Sequence, residues 1–275
     1  MYKLIACDVD GTLMNLDFKV NSDDRNAIMK AQEKGVIVTL CSGRSYRSLK
    51  GFAAELGIPP KGSYLVGFNG GTIYDYENLD VVKQEVLDKD AGLKAVEIFK
   101  SRGRGVEIVV YINGECILHE TDAEYAIKYQ KTSQCDWQNT DDIVETAKNL
   151  EAMIKIIFIG ENSDLKELEA ELDGQLGETT DTIFTADYML EVSPAVCTKA
   201  NGVKWLCQKY GIDMSEVICI GDNHNDISML SEAGLGVAVA NAVDAARAIA
   251  DYVTINDCTN GAVAEVIDKF ILQSH

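Results

Sequence analysis

The sequence predicts an α/β protein in which an open parallel sheet, flanked by helices, is interrupted by an inserted α+β segment. Short apolar runs at residues 3–7, 36–41, 217–220 and 235–239 each break off in Gly or polar residues, the pattern of strands buried on both faces. Helix-length stretches separate these runs, which makes the strands parallel with right-handed crossovers. From about residue 72 the pattern changes to alternating strands and a hairpin signal, and near Lys199 the parallel pattern returns.

The opening run, Lys3-Leu4-Ile5-Ala6-Cys7, ends in Asp8-Val9-Asp10-Gly11-Thr12. Ser22-Asp23-Asp24 puts acids in the first turn of a helix that Gly35 stops after Lys34. Residues 36–41 form a second strand ending in Ser42-Gly43-Arg44, and a helix over 45–56 is closed by Gly57 and Pro59. A third parallel strand, 64–68, ends in Asn69-Gly70-Gly71. Residues 72–76 and 81–86 alternate as antiparallel strands do, and a helix spans 90–102. Residues 106–112, Asn113-Gly114 and 115–118 read as a hairpin. A helix over 123–131, a polar segment, a strand at 154–159, an amphipathic helix over 164–176 and strands near 182–185 and 189–192 complete the insert. Helices at 200–210, up to 233, 242–250 and 262–270 then alternate with strands at 217–220 and 235–239. The predicted division is a core of residues 1–81 and 189–275 and an inserted domain over 82–188.

At 275 residues, 47% hydrophobic and 25% charged, the chain can bury a full core and has the composition of a soluble globular protein. No apolar run reaches bilayer length, and the start lacks a basic stretch followed by an apolar one, so neither a membrane span nor an export signal is expected. The net charge of −19 argues against nucleic acid or anionic membrane as a partner. An anionic substrate would need a metal ion and a few cations to reverse that field locally. The 8 cysteines include no Cys-x-x-Cys, and Cys7, Cys41 and Cys219 lie in apolar strand runs. That usage reads as buried, reduced thiols in a cytoplasmic protein. His119, His224 and His275 are too scattered to suggest zinc, and nothing in the sequence bears on oligomeric state.

Asp is disfavoured in strands and costly to bury unpaired. Two of them at the end of a central strand, where open α/β sheets bind ligands, require a cation, a hydrogen-bond network or a chemical role. Ser42-Gly43-Arg44, Lys199, and Asp222 with Asn225 and Asp226 occupy comparable strand and helix ends. Singly, these read as a helix cap, a solvated lysine and a capped turn. Jointly, in this order and with an insert between the second and third, they are hard to explain as unrelated features.

Asp8-Val9-Asp10-Gly11-Thr12, Ser42-Gly43-Arg44, Lys199 and Gly221-Asp222-x-x-Asn225-Asp226 together resemble the motifs of a haloacid dehalogenase superfamily phosphatase of the Cof type. The resemblance covers essentially the whole chain. Asn69-Gly70 and Asn241-Ala242 match flanking family positions, with Gly71 standing where the family has Ala. It implies a Rossmann-like parallel-sheet core with an inserted α+β cap that closes over the leaving group. It also implies Mg²⁺-dependent hydrolysis of a small phosphorylated metabolite, such as a sugar phosphate or a phosphorylated cofactor.

The chemistry of the residues agrees. A carboxylate can attack phosphorus and split hydrolysis into two easier steps, the role implied for Asp8. Asp10 is placed to protonate the leaving oxygen and then activate water. Mg²⁺ takes hard oxygen ligands, here Asp8, the Asp10 carbonyl and Asp222, with Asp226 as a ligand or just behind them. Lys199, Ser42 Oγ, the Gly43 and Val9 amides and Asn225 are expected on the phosphoryl oxygens. Arg44, just beyond them, is expected at the leaving group or the cap. Two other readings stay open: mutase-type transfer between positions of a sugar, and a module that senses a phosphorylated ligand without turnover. A dinucleotide enzyme is weaker, since no strand is followed by Gly-x-Gly-x-x-Gly.

Overall fold

A computed structural model describes residues 1–15, 19–102, 105–112, 115–119, 124–133 and 135–273. The chain divides into two compact units, residues 1–84 with 198–275 and residues 85–197. The first half of unit one runs β1 (Leu4–Cys7), α1 (Ser22–Glu33), β2 (Ile37–Leu40), α2 (Tyr46–Glu55), β3 (Tyr64–Gly67), β4 (Thr72–Asp75) and β5 (Val81–Gln84). Unit two comprises α3 (Lys89–Arg102), β6 (Val106–Ile112), β7 (Glu115–His119), α4 (Glu124–Ser133), β8 (Asp136–Thr140), α5 (Ile143–Asn149), β9 (Lys155–Gly160), α6 (Asn162–Leu172), β10 (Thr180–Ala186) and β11 (Met189–Pro194). Unit one resumes with α7 (Lys199–Tyr210), β12 (Val217–Gly221), α8 (Ile227–Glu232), β13 (Leu235–Ala238), α9 (Asp244–Ile249), β14 (Tyr252–Val253) and α10 (Ala262–Ile267).

In unit one a parallel five-stranded sheet has the order β14-β13-β12-β1-β2. Strand β1 is an interior strand, between β12 and the edge strand β2, and is fully buried, as its four apolar residues require. Its neighbours come from opposite ends of the sequence, with Leu4 opposite both Ile37 and Val217. The strand predicted at 64–68 departs from expectation. It pairs antiparallel with β4 in a separate sheet, β3-β4-β5, and meets the end of β2 only through a parallel bridge between Cys41 and Val66.

Unit two is a six-stranded sheet, β10-β11-β9-β6-β7-β8, antiparallel except for the β7–β8 pair. Apolar residues of β6, β9 and β11, among them Ile108, Val110, Ile156, Phe158 and Leu190, form its core with Leu165 and Leu168 of α6. Elsewhere in this sheet Lys155 and Glu191 form a buried ion pair at 2.7 Å, with the Lys155 ammonium 5.2 Å from the centre of the Tyr111 ring. Strand β8 and helix α5 lie in the segment read only as polar. β8 is an edge strand of mostly exposed polar residues, so it carries no apolar alternation to reveal it. The unit boundaries fall at Glu85 and Thr198 instead of 82 and 189. β5 ladders with β4, whereas β11 is hydrogen-bonded between β9 and β10. The expected Asn113-Gly114 turn and the start of the helix at Ala123 lie outside the described residues.

Helix α1 starts at an Asn21 cap whose Oδ1 accepts the Asp23 amide at 2.7 Å. Its Asp24 is fully buried, and Oδ1 accepts the Ala264 amide of α10 at 2.7 Å, while Oδ2 has no hydrogen-bond partner among the described residues. Burial pushes the Asp24 carboxyl up to about 7, against the pull of the Ala264 and Val263 amides. Its native value lies above its unfolded one, so between roughly pH 4 and 7 the native state binds the extra proton and stability falls as pH rises. Denaturant unfolding at pH 5 and pH 8 should therefore show stability lower at pH 8. In Asp24→Asn that slope should shrink by on the order of 2–4 kcal/mol.

Candidate active site

Four chain segments converge at the carboxyl ends of β1, β2 and β12. The Asp8 amide continues the β1–β12 ladder by donating to the Ile220 carbonyl at 2.9 Å, which fixes Asp8 at the sheet's end. The chain then turns sharply: the Val9 carbonyl accepts the Leu13 and Met14 amides, and the Gly11 amide donates to the Met14 carbonyl. The Val9 amide has no acceptor among the described residues. Gly11 has φ +81°, and a Cβ there would lie 2.5 Å from Asp222 Oδ2. Only glycine permits both the turn and the approach of Asp222.

Lys199 opens α7, whose first turn is capped by Thr198 Oγ1 accepting the Asn201 amide. Its side chain is completely buried, and Nζ donates to Asp8 Oδ1 and Asp226 Oδ1, each at 2.5 Å. The second Asp226 oxygen accepts the Asp222 amide at 2.8 Å and the Asn223 amide at 2.9 Å. Asp226 thus fixes both the lysine and the loop that carries Asp222. Thr12 Oγ1, also buried, donates to Asp222 Oδ1 at 2.9 Å. Asp8, Asp222 and Asp226 present carboxylate oxygens within 4.8 Å of one another.

A second group of residues comes from β2, β3 and the loop after β12. The Ser42 amide donates to the Val66 carbonyl at 3.0 Å, and its Oγ accepts the Arg44 amide at 3.3 Å. Asn225 Nδ2 donates to Asn69 Oδ1 at 3.0 Å, and a Cβ on Gly43 would lie 3.3 Å from that same oxygen. Asn69 therefore joins the Gly43 and Asn225 segments. It sits in a run of three left-handed residues, Phe68, Asn69 and Gly70, at φ +49°, +53° and +89°. For the first two this conformation is strained, and such strain persists where surrounding contacts impose it. A Cβ on Gly70 would lie 2.1 Å from the Thr198 carbonyl, so the same run lets β3 abut the start of the Lys199 helix.

Sequence reasoning noticed Asn69-Gly70 only as a flanking motif and gave Asn69 no role. The available signal was an Asn-Gly pair at a strand end, the residues that best tolerate left-handed backbone. Arg44 pairs with Asp10, a contact that sequence reasoning did not name. Its Nε and Nη2 donate to the two Asp10 carboxylate oxygens, both at 2.6 Å, and Nη1 donates to Ser48 Oγ at 2.8 Å. The Asp10 carboxylate, turned to Arg44, lies outside the cluster formed by Asp8, Asp222 and Asp226.

The electrostatics of the cluster follow from burial. Burial pushes the Asp8 carboxyl above the usual range, with Asp226, Asp222 and Asp10 adding to the push and Lys199 opposing it. Asp222 is raised to about 6, chiefly by burial and then by Asp226. Burial alone would lower Lys199, but Asp226 and Asp8 overcome it and hold the ammonium above its ordinary value. Three carboxylates around one ammonium leave two negative charges unbalanced. An all-oxygen donor set with that residual charge fits a hard divalent cation such as Mg²⁺.

The chain is 27% identical to a 5-amino-6-(5-phospho-D-ribitylamino)uracil phosphatase of Bacillus subtilis over 293 residues, covering 98% of each. It is 26% identical to an HMP-PP phosphatase of Yersinia enterocolitica, covering 100% of this chain and 97% of that one. Among solved structures, a haloacid dehalogenase-like hydrolase from Bacteroides thetaiotaomicron superposes with a TM-score of 0.86 at 29% identity, covering 98% of this chain and 99% of that one. The model of the haloacid dehalogenase-like hydrolases matches residues 5–267, a span that holds every side chain of the buried cluster, and the chain belongs to that family of enzymes.

Proposed function

We propose that this chain is a Mg²⁺-dependent phosphatase that hydrolyses phosphomonoesters of small metabolites through an aspartyl-phosphate on Asp8. The observation that carries this reading is the Asp8 carboxylate itself. One of its oxygens is held by a buried lysine at 2.5 Å, within an acidic cluster whose excess charge suits one divalent cation. The two named relatives are a 5-amino-6-(5-phospho-D-ribitylamino)uracil phosphatase and an HMP-PP phosphatase, which supports a small phosphorylated substrate. Six of the eight cysteines are buried and no disulfide is formed, which supports a reducing, cytoplasmic setting. No described helix is long and apolar enough to cross a membrane.

In this reading Lys199 engages Asp8 Oδ1, leaving Oδ2 to attack phosphorus in line with the departing oxygen. Asp10 gives its proton to that oxygen and then takes one from the water that hydrolyses the acyl phosphate. The Val9 amide, the Ser42 hydroxyl, the Gly43 amide and Asn225 surround the phosphoryl oxygens, with Asn69 positioning the last two. Asp8, Asp222 and the Asp10 carbonyl would hold Mg²⁺, while Asp226, whose oxygens serve Lys199 and two amides, would support them from behind. When bound, the ion neutralises charge between the nucleophile and the phosphate. Arg44 and the second unit add no step to this scheme.

Release of inorganic phosphate from a panel of phosphorylated metabolites tests the proposal directly, because a mutase would conserve the phosphoryl group. Asp8→Asn should lower that release by about a thousandfold or more while leaving the far-ultraviolet spectrum unchanged. A near wild-type rate would end the covalent scheme. A chelator should stop hydrolysis, and added Mg²⁺ should raise the thermal midpoint of wild type but not of Asp222→Asn. Lys199→Ala leaves buried carboxylates without their counter-ion and should cost about 3–5 kcal/mol in unfolding free energy, besides most of the activity.

A further inference from the structure

We infer that Arg44 is a positioning residue for Asp10, aiming its carboxyl group and receiving the charge that forms there, and that it does not bind the leaving group. The inference rests on the acid–base role proposed for Asp10 and deepens it. The guanidinium is fixed at three points. Its fork grips both Asp10 oxygens at 2.6 Å, Nη1 donates to Ser48 Oγ at 2.8 Å, and its carbon lies 5.6 Å from the centre of the Phe52 ring. Arg44, Ser48 and Phe52 are spaced four residues apart, so α2 lines up the two side chains that hold the arginine. The backbone before the helix is fixed as well, by the Arg44 amide on Ser42 Oγ.

The Asp10 side chain is 49% exposed. An ion pair this open adds little to stability, whereas a bidentate guanidinium defines the plane and direction of a carboxylate. In the first step the Asp8 oxygen forms a bond to phosphorus as the bond to the leaving oxygen breaks, and that oxygen takes the Asp10 proton. The carboxyl group becomes a carboxylate as its proton departs, with two N–H groups already directed at its oxygens. A donor pair that gains strength as the reaction proceeds stabilises the transition state more than the ground state. In the second step the same fork holds the carboxylate while it takes a proton from water, the water oxygen bonds to phosphorus, and the Asp8–phosphate bond breaks.

The test uses leaving groups of different basicity. An alkyl alkoxide needs a proton as it departs, whereas p-nitrophenolate does not, and kcat/KM reports the first chemical step for both. Arg44→Ala should lower kcat/KM by about a hundredfold for a simple alkyl phosphate and by less than about tenfold for p-nitrophenyl phosphate. Arg44→Lys, which keeps the charge without the fork, should fall between, and Ser48→Ala should show the same bias more weakly. An equal loss on both substrates, or a loss confined to KM, would overturn the inference and place Arg44 on the substrate. Asp10→Asn, measured alongside, should be biased in the same direction. If it is biased and Arg44→Ala is not, only the role of Arg44 falls; if Asp10→Asn is unbiased, the acid role of Asp10 falls and this inference with it.

Discussion

The structure of the first unit depends on keeping one ammonium among two buried carboxylates and a third that is half-buried. Lys199 has no exposed surface, and its two carboxylate contacts belong to Asp8 and Asp226, on different loops. A buried ion pair repays its desolvation only when the remaining lone pairs are also satisfied. Asp226 meets that condition through two backbone amides, and Asp222 partly through Thr12. Asp8 meets it on Oδ1 through Lys199. Carboxylate oxygens gathered this closely are costly for the fold and suited to bind a cation.

That charge constraint dictates much of the backbone around it. Gly11 must be glycine because Asp222 occupies the space where a side chain would be. The strain in Phe68 and Asn69 is imposed from two sides, by the Asn69 carboxamide between Gly43 and Asn225 and by Gly70 against the Thr198 carbonyl. The sheet supplies rigidity, since β1 is buried on both faces and paired along its length on both edges. Rigid strand ends with short loops are what a site needs if its groups are to hold position while charge moves.

Most of the first unit was legible because parallel strands declare themselves as continuous apolar runs, and the site because carboxylates at such a run's end are anomalous. Asp8 and Asp222 could be grouped from sequence on that ground, and Lys199, a helix-start residue, only through its order among the other segments. The third strand was misassigned because an apolar run at 64–68 fits a buried strand of either pairing. Nothing local shows that Gly67 and Thr72 are close enough for β3 to fold back on β4. Strand β8 was missed because parallel pairing with β7, not its own pattern, makes Asp136–Thr140 a strand. Arg44 was expected at the leaving group or the cap because its motif places it near the phosphate. Its contacts with Asp10 and Ser48 depend on the direction of a flexible side chain, which spacing alone does not determine.

The order of the segments along the polypeptide has a consequence for biosynthesis. Asp8 leaves the ribosome 191 residues ahead of Lys199, and the strand that flanks β1 on its other edge, β12, emerges later still. Unit two is continuous, so it can collapse on the nascent chain while the older half of unit one waits with β1 paired on one side only. Domains tend to fold as units during synthesis, and unpaired strand edges in waiting segments are where nascent chains aggregate. For this molecule the Asp8 carboxylate at the end of β1 gains its lysine only once residue 199 has been made, so its charge stays uncompensated beside that open edge throughout the synthesis of unit two.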